Sequence, residues 1–447
     1  MECWSTGVLE YWAKDCFEFI TPSLQYSITP VTRVFCGAQC YELPAMFSFK
    51  LLAHDGNARA GILNTPHGAI ETPSFVPVGT QASVKAMSAE DLRKTGSQII
   101  IANTYHLHLQ PGETLIEEMG GLHRFMGWDA PLMTDSGGFQ IFSHGAGKEH
   151  GVGKIAPIFP EEQDRARHFS TRKGKPLVKV NEDGVEFVSY LDGSRHRFTP
   201  ESAVTMQRKL GADIILVLDE CTSPLHDYNY TKGALERTHR WAVRGMEEFH
   251  RRSDNRQALF GIIQGGAFQD LRKESAAFIA EKGFDGYAVG GSLGESTEEM
   301  HQVLEWTVPL LPQDRPRHLL GIGEIENIFE VVKRGIDTFD CAAPTRMART
   351  GTMFVRDAER FRIHIFNARF RDDPRPIDQT CDCHVCSNYS RAYVRHLFAA
   401  RELTAFRLAS IHNLHFIESL MRRIRTAIKN KSLSDLHRKW FSQGDAP

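Results

Sequence analysis

The stretch ALFGIIQGG (Ala258 to Gly266) is apolar on both faces of an extended chain and then stops at an amide and two glycines. Seven other stretches repeat that pattern: SFVPVGT (Ser74 to Thr80), QIIIANTY (Gln98 to Tyr105), PLMTDSGG (Pro131 to Gly138), DIILVLDEC (Asp213 to Cys221), GYAVGG (Gly286 to Gly291), HLLGIG (His318 to Gly323) and DTFDCAAPT (Asp337 to Thr345). A run apolar on both faces suits a parallel strand covered on two sides. Helix-length segments separate the runs. Ser88 to Gly96, Phe268 to Gly283 and Glu324 to Gly335 carry the i, i+3, i+4 apolar spacing of amphipathic helices, and each closes on a glycine suited to the left-handed exit position. The alternation predicts an α/β fold, a (β/α)8 TIM barrel.

In such a barrel the loops after the strands build the active site. The strand ends here hold Asn103, Asp135, Ser136, Asp219, Gln264 and Asp340. One such residue alone has an ordinary use as a helix cap. Three carboxylates converging on one rim point instead to chemistry.

At 447 residues the chain exceeds the roughly 250 typical of the barrel, so additions are expected. The reading is a barrel over residues 46–370, an extension over 1–45, a rim insertion at about 144–199 and a C-terminal subdomain over 371–447. The extension lacks an amphipathic period, and its Cys3, Cys16, Cys36 and Cys40 lack the tight pairing of a zinc site. It is expected to be dispensable, with the true start near Met46. In the insertion, alternating residues around Asp183-Gly184 predict a hairpin, taken as part of a mobile lid. Net charge is −2, so nothing global advertises a nucleic-acid binder. Locally, Tyr389 to Pro447 carries eleven Lys and Arg against four Asp and Glu, a stretch that either tracks phosphates or is a solvated helix face. No run reaches the roughly 18 apolar residues of a membrane span, and no signal peptide is legible. A soluble cytoplasmic protein with reduced thiols is expected.

Cys381, Cys383 and Cys386 form C-x-C-x-x-C, and His412 follows on a plausible helix. Three thiolates and an imidazole make a closed tetrahedral shell, so one structural Zn2+ per chain is expected. His384 and His396 compete as fourth ligand, although His384 sits awkwardly between two chelating cysteines.

Taken together, TDSGGFQ (Thr134 to Gln140), Asp219-Glu220-Cys221, GIIQGG, GIDTFDCAAPTR (Gly335 to Arg346) and CDCHVC with its distant His resemble the tRNA-guanine transglycosylases, or queuine tRNA-ribosyltransferases, of bacterial type. The likeness runs from about Met46 to the C-terminal helices. It implies exchange of the guanine at wobble position 34 of tRNAs with GUN anticodons for 7-aminomethyl-7-deazaguanine, in queuosine biosynthesis. Exchange on one face of a sugar calls for a carboxylate that attacks C1′ and an acid/base group that serves both bases. By position, Asp340 matches the family's nucleophile and Asp135 its acid/base. Asp219, Gln264 and the backbone of Gly291 match the groups that read the base edge, Phe139 and Leu320 the pair that sandwiches the ring, and Asn103 and Ser136 polar supports of the pocket. Thr345, Arg346 and Arg349 resemble contacts to the anticodon loop. The resemblance also implies a homodimer.

Three positions depart from the bacterial pattern. Only Ser292 and Leu293 separate Gly291 from Gly294-Glu295, one residue fewer than usual, which makes complete queuine an alternative incoming base. Glu324 stands where Lys is usual, and the rim insertion has no counterpart. A non-catalytic accessory subunit of the same fold is the other reading, and the retention of Asp135, Asp219 and Asp340 argues against it.

Overall fold

The computed structural model describes residues 33–36, 39–42, 47–142, 178–251, 256–291, 293–294 and 296–442. Cys3 and Cys16, residues 143–177 of the supposed lid, and Ser292 and Glu295 of the shortened wall lie outside them. Residues 1–45 and 46–447 form separate compact units. In the first, Arg33–Cys36 and Gln39–Glu42 pair as an antiparallel hairpin, with Arg33 opposite Glu42.

Eight parallel strands form the centre of the second unit: β1 (Ser74–Pro77), β2 (Ile100–Asn103), β3 (Leu132–Asp135), β4 (Ile214–Leu216), β5 (Ala258–Ile263), β6 (Gly286–Val289), β7 (Arg317–Leu319) and β8 (Thr338–Cys341). Each coincides with one of the eight quoted runs, β7 beginning one residue before its run at Arg317. The hydrogen-bonded order is β1-β8-β7-β6-β5-β4-β3-β2. The seam between β1 and β2 closes through a parallel bridge, Val78 to Ile101, with the Gly79 N–H donating to the Ile101 carbonyl at 2.7 Å. Every residue of β1, β2, β4, β5, β6 and β7 is buried. Only β3 and β8 emerge at their C-terminal ends, at Asp135 and at Asp340-Cys341.

The helices follow from their ends. Ser88 caps Ala89–Thr95 in a reciprocal box with Asp91, and Gly96 leaves it at φ +88°. Gly283 and Gly335 sit just beyond Gln269–Glu281 and Ile325–Lys333 at φ +75° and +91°.

One sheet and one strand of another went unread in the sequence. Ser48–Asp55, Ala58–Thr65 and Gly68–Thr72 form an antiparallel sheet under the N-terminal ends of the barrel strands. Its outer strand has exposed Leu51 and Leu52, which breaks the alternation that marks a half-buried strand. The predicted hairpin is present as Val178–Val180 against Val185–Val188, and a third strand, Arg195–Phe198, joins it. That strand reads RHRF, too polar to announce itself.

The lower sheet is fastened by Arg59, whose guanidinium grips Asp337 through two hydrogen bonds of 3.1 and 2.8 Å and also reaches the Arg315 carbonyl at 2.9 Å. Both partners are buried. Replacing one member of a buried pair strands the other charge, at a cost of about 3–5 kcal/mol. Arg59→Ala is therefore expected to lower unfolding free energy by about that amount in chemical denaturation, whereas surface Arg438→Ala should change it negligibly.

Candidate active site

Barrel closure puts the ends of β3 and β8 into one cleft of about 500 Å³. Asn103, Asp135, Ser136, Phe139, Asp219, Gly291, Leu320, Asp340 and Arg346 all line it. Asp135 is held by four donors from two segments: Asn103 Nδ2 at 2.5 Å, the Thr104 N–H at 3.0 Å, the Gly137 N–H at 3.2 Å and Gln140 Nε2 at 2.7 Å. These bonds favour its anion, yet burial outweighs them and the charge of Asp340 adds to burial, so the carboxyl sits above the usual carboxylate range. Such a group keeps its proton to higher pH than an ordinary carboxylate, a property that suits acid/base chemistry.

Asp340 is fixed differently. Its Oδ1 accepts from the Gly321 N–H at 3.0 Å and from His318 Nε2 at 3.2 Å. His318 is fully buried, and its Nδ1 lies 2.9 Å from Thr338 Oγ1. A carboxylate only accepts, so the proton belongs on Nε2 and the Thr338 hydroxyl donates to Nδ1. The imidazole therefore sets the rotamer of Asp340. His318 was missed in the sequence, as were Thr104 and Gln140; the available signal was a histidine at the head of the apolar run HLLGIG.

Beside the two acids lies a flat slot. Asp219 accepts from Gln264 Nε2 at 2.5 Å and from Ser136 Oγ at 3.3 Å. Gln264 Oε1 is buried with no hydrogen-bond partner among the described residues. Gly291 lies so close that a Cβ there would stand 1.9 Å from that oxygen, and φ is +76°, so only glycine fits. Phe139 and Leu320 are half-buried and face the same space. An acceptor, an amide with an idle oxygen and two apolar walls suit a planar heterocycle with donors and acceptors on one edge.

The helix Ala343–Arg349 leaves β8 directly and carries Arg346, exposed, to the cleft, which Glu324 also lines. Thr345 and Arg349 are not brought to the cleft wall. Thr345 is buried with its hydroxyl donating to the Ala342 carbonyl at 3.3 Å, and Arg349 is half-buried and donates to the Thr345 carbonyl at 2.9 Å. The basic stretch beyond is divided too: Arg422, Arg423 and Lys429 are exposed, while Arg425 points inward and donates to the Pro73 carbonyl at 2.9 Å.

Among the cysteines, Cys381, Cys383 and Cys386 surround His412 Nδ1, with sulfurs at 3.8, 3.5 and 3.4 Å. A tetrahedral zinc with bonds near 2.3 Å to sulfur and 2.0–2.1 Å to nitrogen puts those ligands roughly 3.6 Å apart, so the donor set fits one structural metal. His412 Nε2 donates to the Phe354 carbonyl at 2.6 Å, which leaves Nδ1 as the free lone pair. His384 turns instead to Asn388. The neighbouring Asn413 accepts from the Phe354 N–H and donates to the Thr352 and Pro344 carbonyls, all at 3.0 Å. Pro344 belongs to the helix that bears Arg346, so the metal group and the cleft share a scaffold.

Comparison with known proteins agrees with this geometry. The family model described as queuine tRNA-ribosyltransferase matches residues 55–173 and 164–446. A putative queuine tRNA-ribosyltransferase of Archaeoglobus fulgidus is 52% identical over 392 residues, 86% of this chain and 96% of that relative. Queuine tRNA-ribosyltransferases of Roseiflexus sp. (strain RS-1) and Thermoanaerobacter sp. (strain X514) are 48% and 46% identical, covering 88% and 89% of this chain and 99% and 98% of those relatives.

Stripping the metal with a chelator, or replacing Cys383 with Ser, is expected to unfold the segment around residues 352–441 before the barrel. Hydrogen exchange resolved along the chain checks this; uniform protection after metal loss would contradict it.

Proposed function

The chain belongs to the queuine tRNA-ribosyltransferase family, a family of pentosyltransferases, and from that premise we propose that it exchanges the guanine at position 34 of tRNAs with GUN anticodons for a 7-deazaguanine base through a covalent aspartyl-ribosyl intermediate. The observation that carries this reading is the placement of Asp135 and Asp340 in one cleft, close enough for the charge of one to raise the carboxyl of the other.

In the proposed first half, protonated Asp135 gives its proton to the leaving guanine while an Asp340 oxygen bonds to C1′ as the glycosidic C–N bond breaks. In the second half the incoming base loses its proton to Asp135, and its nitrogen displaces Asp340 from C1′. Both displacements invert, so the β linkage is retained. Asp219 takes the ring N–H and amino donors of the base. This frees Gln264 Nε2 from Asp219 to serve the base carbonyl, and Phe139 and Leu320 stack the ring. Arg346 at the mouth meets the anticodon loop, and Thr345 and Arg349 support its helix from behind. His318 acts through Asp340 as a positioning residue.

The incoming base is 7-aminomethyl-7-deazaguanine in this reading, made in the course of queuosine biosynthesis. Queuine is the second reading, favoured by the one-residue-shorter segment after Gly291 and by the names of the relatives. Structural Zn2+ at Cys381, Cys383, Cys386 and His412, a homodimer and a cytoplasmic site of action complete the proposal. No helix among the described residues is long and apolar enough to cross a membrane.

Asp340→Asn should abolish both base exchange and the denaturant-stable protein–tRNA adduct, and retained exchange would refute the nucleophile. Charge-assisted hydrogen bonds contribute about 1.5–3 kcal/mol, so His318→Ala should lower kcat by about 10- to 100-fold with little change in KM for tRNA. The pH dependence has a definite sign. A raised carboxyl keeps its proton to higher pH and loses its acid form as pH rises through the raised value, so adduct formation should fall on the alkaline side. Asn103→Ala removes a donor to the anion and should move that limb to higher pH, as a stopped-time gel assay across pH would reveal.

A further inference from the structure

On the opposite end of the barrel from the cleft, three residues from separate segments meet. His67 lies in the turn between the strands Ala58–Thr65 and Gly68–Thr72, His123 in the helix Gly121–Met126, and Asp213 at the entrance to β4. His67 Nδ1 is 2.7 Å from Asp213 Oδ1, and His123 Nε2 is 3.2 Å from Asp213 Oδ2. The two imidazoles stack face to face, 3.5 Å between centroids at 15°. All three ligand atoms lie within 4.8 Å of one another. We propose that His67, His123 and Asp213 form a second metal site, for a borderline divalent cation of the zinc or nickel class, which staples the N-terminal sheet to the barrel floor.

The donor set and spacing carry the argument. Metal bonds of 2.0–2.2 Å at angles of 90–109° place neighbouring ligands roughly 2.8–3.6 Å apart, and the two nitrogen–oxygen separations of 2.7 and 3.2 Å lie near that range. Two imidazoles with one carboxylate favour zinc, nickel or cobalt over calcium or magnesium, which take oxygen ligands. The carboxylate is pre-set, because Asp213 Oδ2 also accepts from the Leu132 N–H at 2.8 Å and its side chain is only 1% exposed. The His67 side chain, 41% exposed, leaves an open side where water completes the coordination. A ring lone pair lies in the ring plane, so the two stacked rings turn about their Cβ–Cγ bonds as Nδ1 of His67 and Nε2 of His123 converge on one ion. None of these residues lines the cleft, so the site stands or falls apart from the transglycosylase reading.

The test uses the full chain carrying metal at its cysteine site. Isothermal titration with Ni2+ should show one further equivalent and a rise in Tm. His67→Gln and His123→Gln keep an N–H that can face Asp213 but are poor ligands; each should weaken the added equivalent by more than about tenfold without changing the metal held by the cysteines. Co2+ added to the wild-type chain should give weak d–d bands without a thiolate charge-transfer band. Absence of a further equivalent up to millimolar Ni2+, equal binding by both variants, or a thiolate band from the added cobalt would each overturn the site and leave a hydrogen-bonded latch.

Discussion

Closure of the sheet across β1 and β2 is the constraint on which the site depends. Counted the long way round, β3 and β8 are separated by β4, β5, β6 and β7; counted across the seam, only β2 and β1 intervene. The Val78–Ile101 bridge and the Gly79 hydrogen bond are short, yet they turn the ends of β3 and β8 toward one another. An open sheet with the same strands would hold Asp135 and Asp340 far apart, and neither acid would feel the other's charge.

The two carboxylates end adjacent arcs of the rim but live in different surroundings. Asp135 is half-buried among four donors and still rises above the ordinary range, because desolvation and a like charge exceed what the donors return. Asp340 is steered by a buried histidine and a backbone N–H placed on a single oxygen. One group poised to exchange a proton and one held in a fixed rotamer is the division of labour that a double displacement needs.

Support for the rim comes from outside the barrel. The long helix Leu403–Lys429 presents His412 to the cysteines and Asn413 to the backbone of residues 344, 352 and 354. Arg407 and Arg425 on that helix tie it to Asp91 and to the Pro73 carbonyl beside β1. The cysteine–histidine group thus braces the segment that follows Asp340 without lying in the cleft.

The amino-acid sequence alone determined the eight strands, since each is a run apolar on two faces that ends in polar or glycine residues, and runs of that kind survive any detail of packing. It also determined the cysteine set and the strand-end acids, because ligand chemistry and position at a strand terminus are local properties. Tertiary structure decided what depends on distant partners. The sheet at Ser48–Thr72 and the strand Arg195–Phe198 escaped notice because polar or exposed residues hide their alternation, which only cross-strand pairing restores. His318 reads as one more residue of a buried strand until folding sets it 3.2 Å from Asp340. Thr345 and Arg349 share a helix with Arg346, but helical phase turns only Arg346 to the cleft wall. Direction in three dimensions is fixed by packing between segments far apart in the chain, and no local pattern encodes it.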